Sequence, residues 1–556
     1  MKKILALVLA LTTAAALCAC GGGSAQQATE KANEAATKAA EENTVAVDLG
    51  GGEVAESATL SEITYIQDTD MASLSPWDIR SMTAGICYEI YEMLYGVTDD
   101  GTFYPILADA NKGDWMPGCD HVEGSGDYTI YIYDYITDSQ GNKITASDVK
   151  FCFDQSRDAG FESGWGSFTS EEVVDDTTII LHCEEELNKL GELQNILCRC
   201  FILSQKAYEA SSSEMAMDAC GTGPYVLESF TPNNSVVVTR RADYWQTNAD
   251  LLNPIQCANI EKITLQVITE STQQVIGLET GTIDIAEKQG QDNLDQLEAD
   301  GYGDKFDVYT TQANMMVSLY CNCDPSTPCG NVALRKAILM AVDNEVLAAF
   351  AGNGMTACKA LGNSFYGDYD PSWEGKYSLY QTPDAAQIQA LLDEAGYNGE
   401  ELTLLTANFS AQYAETIQAM LSDYGINVVL NIAEGGSSNA LKADPNEWDI
   451  FYGYMAADDY LVNYWSHLLD ADGRSNGKSE SFLDDQTFQD MLHNCMTSEG
   501  HTKENMEELL QYVDDNAIAK AMVTGAESVV YPAGSVKTLF FTDKRYLVPG
   551  ACTYAE

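Results

Sequence analysis

The spacing of apolar residues predicts both strands and helices in this chain. Isoleucines alternate with polar and tyrosine residues over 129–136, which is the period-two pattern of a strand with two different faces. A polar turn, 138–142, ends this strand. Thr145 and Asp148 then have the spacing of a capping box, so we expect a helix to begin there and to continue through Phe153.

Further along the chain, strand and helix patterns alternate. The compact turn 221–224 precedes two apolar-rich strands, 225–230 and 235–240, which predict a hairpin. Apolar residues recur at helical spacing over 332–342.

The following segments read in chain order as helix, strand, helix, strand and strand. Thr382-Pro383-Asp384 begins the first helix, which ends at Gly396; the later segments are a strand from Leu402, a helix over 411–424, a strand over 426–432 and a strand over 448–454. A strand–helix–strand unit of this kind predicts an α/β fold.

The N-terminus has the pattern of an export signal. Met1-Lys2-Lys3 is basic, and the apolar run 4–17 would form a helix of only about 21 Å, which is too short to span a bilayer stably. The segment that ends at Cys20 resembles the bacterial lipoprotein box, in which this cysteine carries the lipid. Residues 1–20 are therefore a predicted signal peptide, and 21–59, which lack an apolar stripe, are a predicted flexible tether.

Composition narrows the function. The chain has 556 residues, which suggests several domains, and its 85 acidic against 29 basic residues give a net charge of −56. A surface this acidic would repel nucleic acid phosphates and anionic lipids, so neither is expected as a partner. The 16 cysteines include no Cys-x2-Cys pair, and only five histidines are present, so no metal site or cofactor is predicted. Beyond Cys18 and Cys20, disulfides and free buried thiols both stay open.

Catalytic signatures are absent from the sequence or broken. It contains no His-Glu-x-x-His pair or Gly-x-Gly-x-x-Gly turn. The segment 473–479 is one residue short of a phosphate-binding loop, and although its first five residues fit Gly-x-Ser-x-Gly, no buried strand precedes it. We therefore expect a protein that is not an enzyme. A surface glycan hydrolase is the remote alternative, because a catalytic pair of carboxylates has no sequence motif.

Seven stretches in family order resemble the extracellular solute-binding proteins of the peptide/nickel type, which are receptors of ATP-driven importers. These stretches are Ser73–Pro76, Tyr88–Leu94, Gly101–Ala108, Thr145–Val149, Gly221–Tyr225 with Arg241–Trp245, Leu278–Asp284, and Val332–Asp343. Two departures stand out. Asn344 replaces the family's usual Arg, and the late Trp-x-x-Asp-Tyr-x-Asp-Pro element is reduced to 454–460, without its Trp and Pro.

The resemblance implies an α/β fold built as a two-lobed clamp, periplasmic-binding-protein-like (type II, large cluster), with an extra inserted accessory domain. The predicted parts are lobe I (60–95, 220–305 and 530–556), the accessory domain (96–219) and lobe II (306–529). The connections near 306 and 529 would form the hinge, and closure would enclose a ligand between the lobes.

The resemblance also implies the ligand residues. In peptide-binding relatives a carboxylate of the late element pairs with the ligand's amino group; here Asp458 is the nearest match and Asp459 the alternative, with Tyr460 beside them. The loop 68–73 follows the predicted first strand and should line the cleft from lobe I with Asp70, Met71 and Ser73; alternatively it is a plain surface connection. Three aromatic residues are candidates for the pocket wall or, alternatively, for the core: Tyr452, Tyr454 and Trp465.

The implied function is a lipid-anchored receptor on the outer face of the bacterial cytoplasmic membrane. It would bind short peptides as a monomer and deliver them to an ABC permease and its ATPase subunits. The same fold could instead bind a nickel chelate, a sugar or another small solute. An adhesin, which would bind a macromolecule without closing, is a further alternative.

Overall fold

The protein is described here by a computed structural model. The structure describes residues 46–48, 60–78, 84–98, 102–159, 168–184, 186–187, 189–352, 354–434, 437–454, 460–471 and 479–555. The signal peptide, the predicted lipidation site Cys20, and Asp458 and Asp459 lie outside these residues. No helix within the described ranges is long and apolar enough to cross a membrane.

The first half of the chain contains mostly strands. In chain order its elements are β1 (Ala46–Asp48), β2 (Leu60–Gln67), α1 (Gly85–Ile90), β3 (Tyr95–Val97), β4 (Phe103–Pro105), β5 (Cys119–His121), β6 (Asp127–Tyr131), α2 (Ala146–Ala159), β7 (Phe168–Asp175), β8 (Thr178–Cys183), α3 (Glu192–Leu197), α4 (Gln205–Ala210), β9 (Tyr225–Thr231), β10 (Ser235–Arg240), β11 (Ile260–Val267), α5 (Ser271–Thr280), β12 (Ile285–Gln289) and α6 (Gln291–Ala299).

The second half alternates strands and helices. Its elements are β13 (Phe306–Cys321), α7 (Val332–Ala341), α8 (Asn344–Ala351), β14 (Thr356–Ala357), α9 (Ala385–Ala395), β15 (Leu402–Ala407), α10 (Ala411–Asp423), β16 (Val428–Ala433), α11 (Ser437–Lys442), β17 (Ile450–Tyr454), α12 (Leu461–Leu469), α13 (Gln486–Met496), α14 (Lys503–Asn516), β18 (Ala519–Pro532), β19 (Val536–Phe540) and β20 (Thr553–Tyr554).

One mixed sheet of eleven strands runs through both predicted lobes, in the order β16-β15-β17-β13-β18-β12-β2-β11-β10-β9 with β14 paired to β18. A separate four-stranded sheet, β5-β6-β8-β7, lies within the residues predicted for the accessory domain. The long strands β13 and β18 pair antiparallel along most of their length and connect the two halves of the large sheet. The domain boundaries themselves stay a prediction.

Alternating residues of the central strands face two different cores in lobe II. On β13, Tyr320 packs in one core, whereas its neighbours Leu319 and Cys321 pack in the other. On β17, Phe451 and Ile450 separate in the same way. Because both faces of the sheet are covered here, the stretches 316–321 of β13 and 450–452 of β17 are mostly apolar and lack the hydrophobic–polar alternation of a half-exposed strand.

Most elements predicted from the sequence are present. The hairpin consists of β9 and β10, and α9 begins where Asp384 accepts hydrogen bonds from the backbone N–H groups of Ala386 and Gln387. The helix ends at Gly396 in the left-handed conformation. The first strand is shorter than predicted, because β6 ends at Tyr131.

The two sequence stretches 221–225 and 241–245 are held together around buried charges. The Arg241 guanidinium donates to the backbone oxygens of Thr137 (2.9 Å) and Thr222 (3.2 Å). Thr137 belongs to the predicted accessory domain and the other two residues to predicted lobe I, so Arg241 connects these two parts. The buried Glu92 carboxylate accepts hydrogen bonds from Trp245 Nε1 at 2.8 Å and from Tyr244 Oη at 2.5 Å. These motifs are therefore structural, and they hold the insertion point of the accessory domain.

The structure distinguishes between disulfides and thiols for the described cysteines. All fourteen cysteines of these ranges are in the thiol form, with no disulfide among them, and twelve are buried. Burial raises the pKa of several, including Cys358 to about 12, which keeps the thiols protonated and unreactive.

Candidate ligand-binding site

The carboxyl ends of the lobe I strands point toward the middle of β13 and β18. Because these two strands connect the predicted lobes, we call them the hinge strands. Strands β2, β11 and β12 are parallel to one another. β12 ends at Gln289, which pairs with Ser528 of β18, and Ser528 in turn pairs with Thr310 of β13. Ligands of α/β proteins bind at the carboxyl ends of parallel strands, so this edge is the lobe I side of a candidate site.

The lobe II strands point toward the same place from the opposite side. Strands β15, β16 and β17 are parallel, and β17 runs antiparallel to β13. β17 ends at Tyr454, which pairs with Val317 of β13. Thr310 and Val317 are about 23 Å apart along the strand, and the pairing with β18 is irregular between them. The two sets of strand ends therefore approach this stretch of the hinge strands from opposite sides, and we call the region between them the gap.

The lobe I loop predicted to contact the ligand follows β2 directly. Asp70 is exposed and Ser73 is half-buried, with its Oγ accepting a hydrogen bond from the Ser75 N–H at 3.0 Å. The Met71 side chain is fully buried in the lobe I core, and its carbonyl accepts from the Asn233 N–H at 2.7 Å. Asp70 and Ser73 are therefore available to a ligand through their side chains, whereas the Met71 side chain packs in the core.

The lobe II residues divide between the site and the core. Tyr454 lies at the end of β17, and Tyr460, just before α12, is half-buried with its ring 5.9 Å from that of His501. By contrast, Tyr452 and Trp465 are buried in the two lobe II cores, where the Trp465 indole donates to the Leu361 carbonyl at 2.8 Å. Core packing, the alternative allowed for these two aromatics, is what the structure shows.

A buried carboxylate orients the segment that leads out of the site. Both oxygens of Asp368 accept the Leu461 N–H at 3.0 Å, and His501 Nε2 lies 3.5 Å from one of them. Burial raises the pKa of Asp368, while these backbone and histidine contacts oppose that rise. Asp368 thus holds the first turn of α12 immediately after Tyr460.

Three contacts in two places connect lobe II with lobe I and the accessory domain, and the sequence predicts none of them. The Arg545 guanidinium lies 5.6 Å from the Phe365 ring centroid, which joins lobe I to lobe II. On the accessory domain, the Leu190 N–H donates to the Met496 carbonyl at 2.8 Å, and Asn463 Nδ2 donates to the Leu190 carbonyl at 2.9 Å. None of these residues carries a motif, so only their meeting in space identifies them.

The described residues contain no group of three or more His, Cys, Asp or Glu side chains that could hold a metal ion. The candidate site described above consists of strand ends, a few polar side chains and the contacts of lobe II with lobe I and the accessory domain.

Comparison with known proteins identifies the family. Residues 102–476 match the profile of the bacterial extracellular solute-binding proteins, family 5. The probable D,D-dipeptide-binding periplasmic protein DdpA of Escherichia coli K12 is 22% identical over 311 residues, 54% of this chain and 56% of that protein. The glutathione-binding protein GsiB of Escherichia coli O1:K1 / APEC is 22% identical over 394 residues, 68% of this chain and 71% of that protein.

Solved structures share the fold. The ABC transporter substrate-binding protein CtaP of Listeria monocytogenes superposes with a TM-score of 0.69 at 17% identity, covering 90% of this chain and 100% of that one. NikA of Staphylococcus aureus in complex with Ni(L-His)2 gives 0.62 at 15% identity, covering 89% and 100%. The predicted type II periplasmic-binding-protein-like α/β fold is confirmed. The chain belongs to family 5 of the bacterial extracellular solute-binding proteins, the substrate-binding receptors of ABC importers.

Proposed function

We propose that this protein captures short peptides between its two lobes and delivers them to the permease of an ABC importer. The observation that carries the proposal is the convergence of the strand ends of both lobes on the middle of β13, between Thr310 and Val317. A peptide placed there would reach backbone edges on both sides, as in strand-addition modes of peptide binding. The relatives named for dipeptide and glutathione binding support the same substrate class.

We also propose that lipid on Cys20 holds the receptor at the outer face of the bacterial cytoplasmic membrane. The predicted tether 21–59 would then let the receptor, as a monomer, reach the permease and its ATPase subunits. Metabolic labelling with a fatty acid tests the anchor: label should be incorporated by the full chain and lost in Cys20→Ala. Labelling that survives this substitution would contradict it.

Native mass spectrometry of the soluble chain from Ser24 onward tests the substrate. Ligands bound during expression would be released under denaturing conditions and weighed. A set of short peptide masses is the expected result. A released mass that matches a nickel chelate, the second candidate, which the shared fold of NikA supports, would agree with the importer role but exclude peptides as the substrate. A protein purified empty would be titrated with peptides, sugars and metal chelates in a thermal-shift assay, and a shift with peptides alone is expected.

A further inference from the structure

Two buried thiols meet where the hinge strand β13 ends. Cys321 is the last residue of β13, and Cys329 lies in the short turn Pro328–Gly330 that precedes α7. Both side chains are fully buried in the same lobe II core. The Cys329 thiol is hydrogen-bonded to the Cys321 thiol, and this bond and burial together raise the pKa of Cys329 well above its ordinary value. The two sulfur atoms are therefore in contact, although seven residues separate the cysteines along the chain.

Hydrogen bonds that do not involve these thiols hold both segments in place. On the strand side, the Asn322 side-chain amide donates to the carbonyls of Pro445 at 2.8 Å and Trp448 at 2.9 Å. On the turn side, the Arg335 guanidinium donates to the carbonyl of Cys329 at 2.8 Å. The rest of lobe II thus positions the two thiol-bearing segments, and the contact between the sulfur atoms follows from that positioning.

The loop between the two cysteines is folded back on itself. Thr327 Oγ1 donates to the carbonyls of Asn322 at 3.2 Å and Asp324 at 2.9 Å, both at the start of the loop. At its end, a Cβ on Gly330 would lie 2.7 Å from the Asp324 carbonyl oxygen, so the chain approaches itself closely there. A covalent bond between the two sulfur atoms therefore requires no rearrangement of the loop, whose ends already lie together.

A third cysteine of this loop, Cys323, is directed elsewhere. Its side chain packs in the other lobe II core, although it follows Cys321 by only two residues. The Cys323 thiol donates to the Cys321 carbonyl at 3.5 Å, and the Cys323 N–H donates to the Ser481 carbonyl at 2.7 Å. Of the three cysteines, the two whose side chains share a core are therefore Cys321 and Cys329.

We propose that Cys321 and Cys329 are joined by a disulfide bond in the exported protein. The inference rests on the predicted export signal and is independent of which ligand the receptor binds. Disulfides form and persist outside the cytoplasm, away from the systems that keep cytosolic thiols reduced. The bond fastens the end of the hinge strand β13 to the turn that leads into α7, and it leaves Cys323 as a thiol.

The bond forms by exchange with an oxidant that itself carries a disulfide, and it forms before lobe II buries the two thiols. In the newly exported chain both thiols are accessible and have an ordinary pKa of about 8.5. One thiolate attacks the disulfide of the oxidant, which gives a mixed disulfide and releases one oxidant thiol; the second thiolate then displaces the other oxidant sulfur. The protein loses two hydrogen atoms, and the oxidant leaves as two thiols. Burial afterwards excludes reductants from the bond.

Mass spectrometry of alkylated peptides tests the proposal, because trypsin leaves all three cysteines of the loop in one peptide, 306–335. Bacterial cells that export the full chain are opened in denaturant with iodoacetamide and without reductant. We expect this peptide to carry a single alkyl group, on Cys323, and to carry an alkyl group on every cysteine when the chain is reduced first. Cys358, a buried thiol alone in the tryptic peptide 337–359, is the control and should be alkylated under both conditions.

Full alkylation of the unreduced peptide from exported protein would overturn the disulfide. A single alkyl group on Cys321 or Cys329 would overturn it as well, because Cys323 would then be one of the bonded residues.

A second arm does not depend on export. The soluble chain from Ser24 onward is refolded from the reduced, denatured state in a mixture of glutathione and glutathione disulfide, and the same alkylation pattern is expected. Full alkylation after this refolding would also overturn the proposal. Neither arm measures ligand binding, so the capture of peptides is tested separately by the ligands that native mass spectrometry releases.

Discussion

At the scale of single residues, burial decides how several carboxyl groups behave. Glu89 is fully buried at the end of α1, where its Oε1 accepts the Gly550 N–H at 2.6 Å. Burial raises the pKa of Glu89 from 4.5 to about 8, and the Gly550 hydrogen bond only partly opposes this. Glu89 is therefore protonated in the folded protein at neutral pH.

The raised pKa of Glu89 predicts a specific pH dependence of stability. Above about pH 4.5 the unfolded chain releases this proton, whereas the folded protein keeps it until about pH 8, so stability is lost as pH rises through this window. Relative to Glu89→Gln, the free energy of unfolding should fall by about 1.4 kcal/mol per pH unit between about pH 5 and 7. Urea unfolding at several pH values in this range measures the dependence of the free energy of unfolding on pH. The variant Glu401→Gln, at an exposed position, is the control and should show the same dependence as the unsubstituted protein. The same dependence in Glu89→Gln would contradict the assignment.

A second residue-scale prediction concerns Asp458, which lies outside the described residues. If its carboxylate pairs with the amino group of a bound peptide, Asp458→Ala should weaken peptide binding by about tenfold or more, because a charge-assisted hydrogen bond is lost. Asp459→Ala tests the alternative residue at the adjacent position. Calorimetry with one peptide series decides between them: a loss confined to Asp459→Ala would transfer the role, and two unchanged affinities would remove both from the site.

At the scale of elements, the turn 221–224 packs so closely against the backbone of α1 that position 223 has no room for a side chain. A Cβ on Gly223 would lie 2.5 Å from the Glu89 carbonyl oxygen and 2.7 Å from that of Ile90. Gly223 also donates its N–H to the Ile90 carbonyl at 2.9 Å. The glycine is therefore required by contact with another element, which explains why the turn and the helix carry two of the stretches shared with the family.

Gly223→Ala should lower the free energy of unfolding by about 1–3 kcal/mol, because backbone atoms would have to move apart. Gly290→Ala is a suitable control, since a Cβ there meets nothing within 4 Å and should change stability by less than about 0.5 kcal/mol. Thermal unfolding of both variants measures the difference. Equal stabilities would show that the turn adjusts without cost.

At the scale of the whole molecule, the predicted accessory domain contacts lobe II directly. Its residue Leu190 packs against a lobe II core, donates its N–H to the Met496 carbonyl at the end of α13, and accepts a hydrogen bond from Asn463 of α12. If the lobes open and close around a ligand, as the family resemblance implies, these contacts would form only while lobe II lies against the accessory domain.

Asn463→Ala should shift the protein toward the open form and weaken peptide binding about fivefold, which corresponds to the loss of one hydrogen bond of about 1 kcal/mol. Asn505→Ala removes a comparable bond, to the Gly500 carbonyl at 2.8 Å, within lobe II alone and should leave binding unchanged. Solution scattering with calorimetry measures both effects. An unchanged radius of gyration and affinity in Asn463→Ala would remove this contact from the closure mechanism.

Local patterns along the chain predict much of the secondary structure and the family of this protein. The cap at Asp384, the end of α9 at Gly396 and the β9–β10 hairpin depend on residues a few positions apart, so their patterns are readable along the chain. Ordered short stretches were sufficient to identify the family for the same reason. The role of Asp70 and Ser73 in the loop after β2 stays a prediction from sequence position.

Long-range packing decides which distant parts of the chain share a site. The carboxyl ends of β12 and β17, at Gln289 and Tyr454, approach the same stretch of β13 and β18 because of the register of these four strands, and no local pattern encodes that register. The burial of Met71 and Trp465 likewise arises from packing against segments more than a hundred residues away. Side-chain identity sets what a residue can do, but long-range strand pairing sets what it meets.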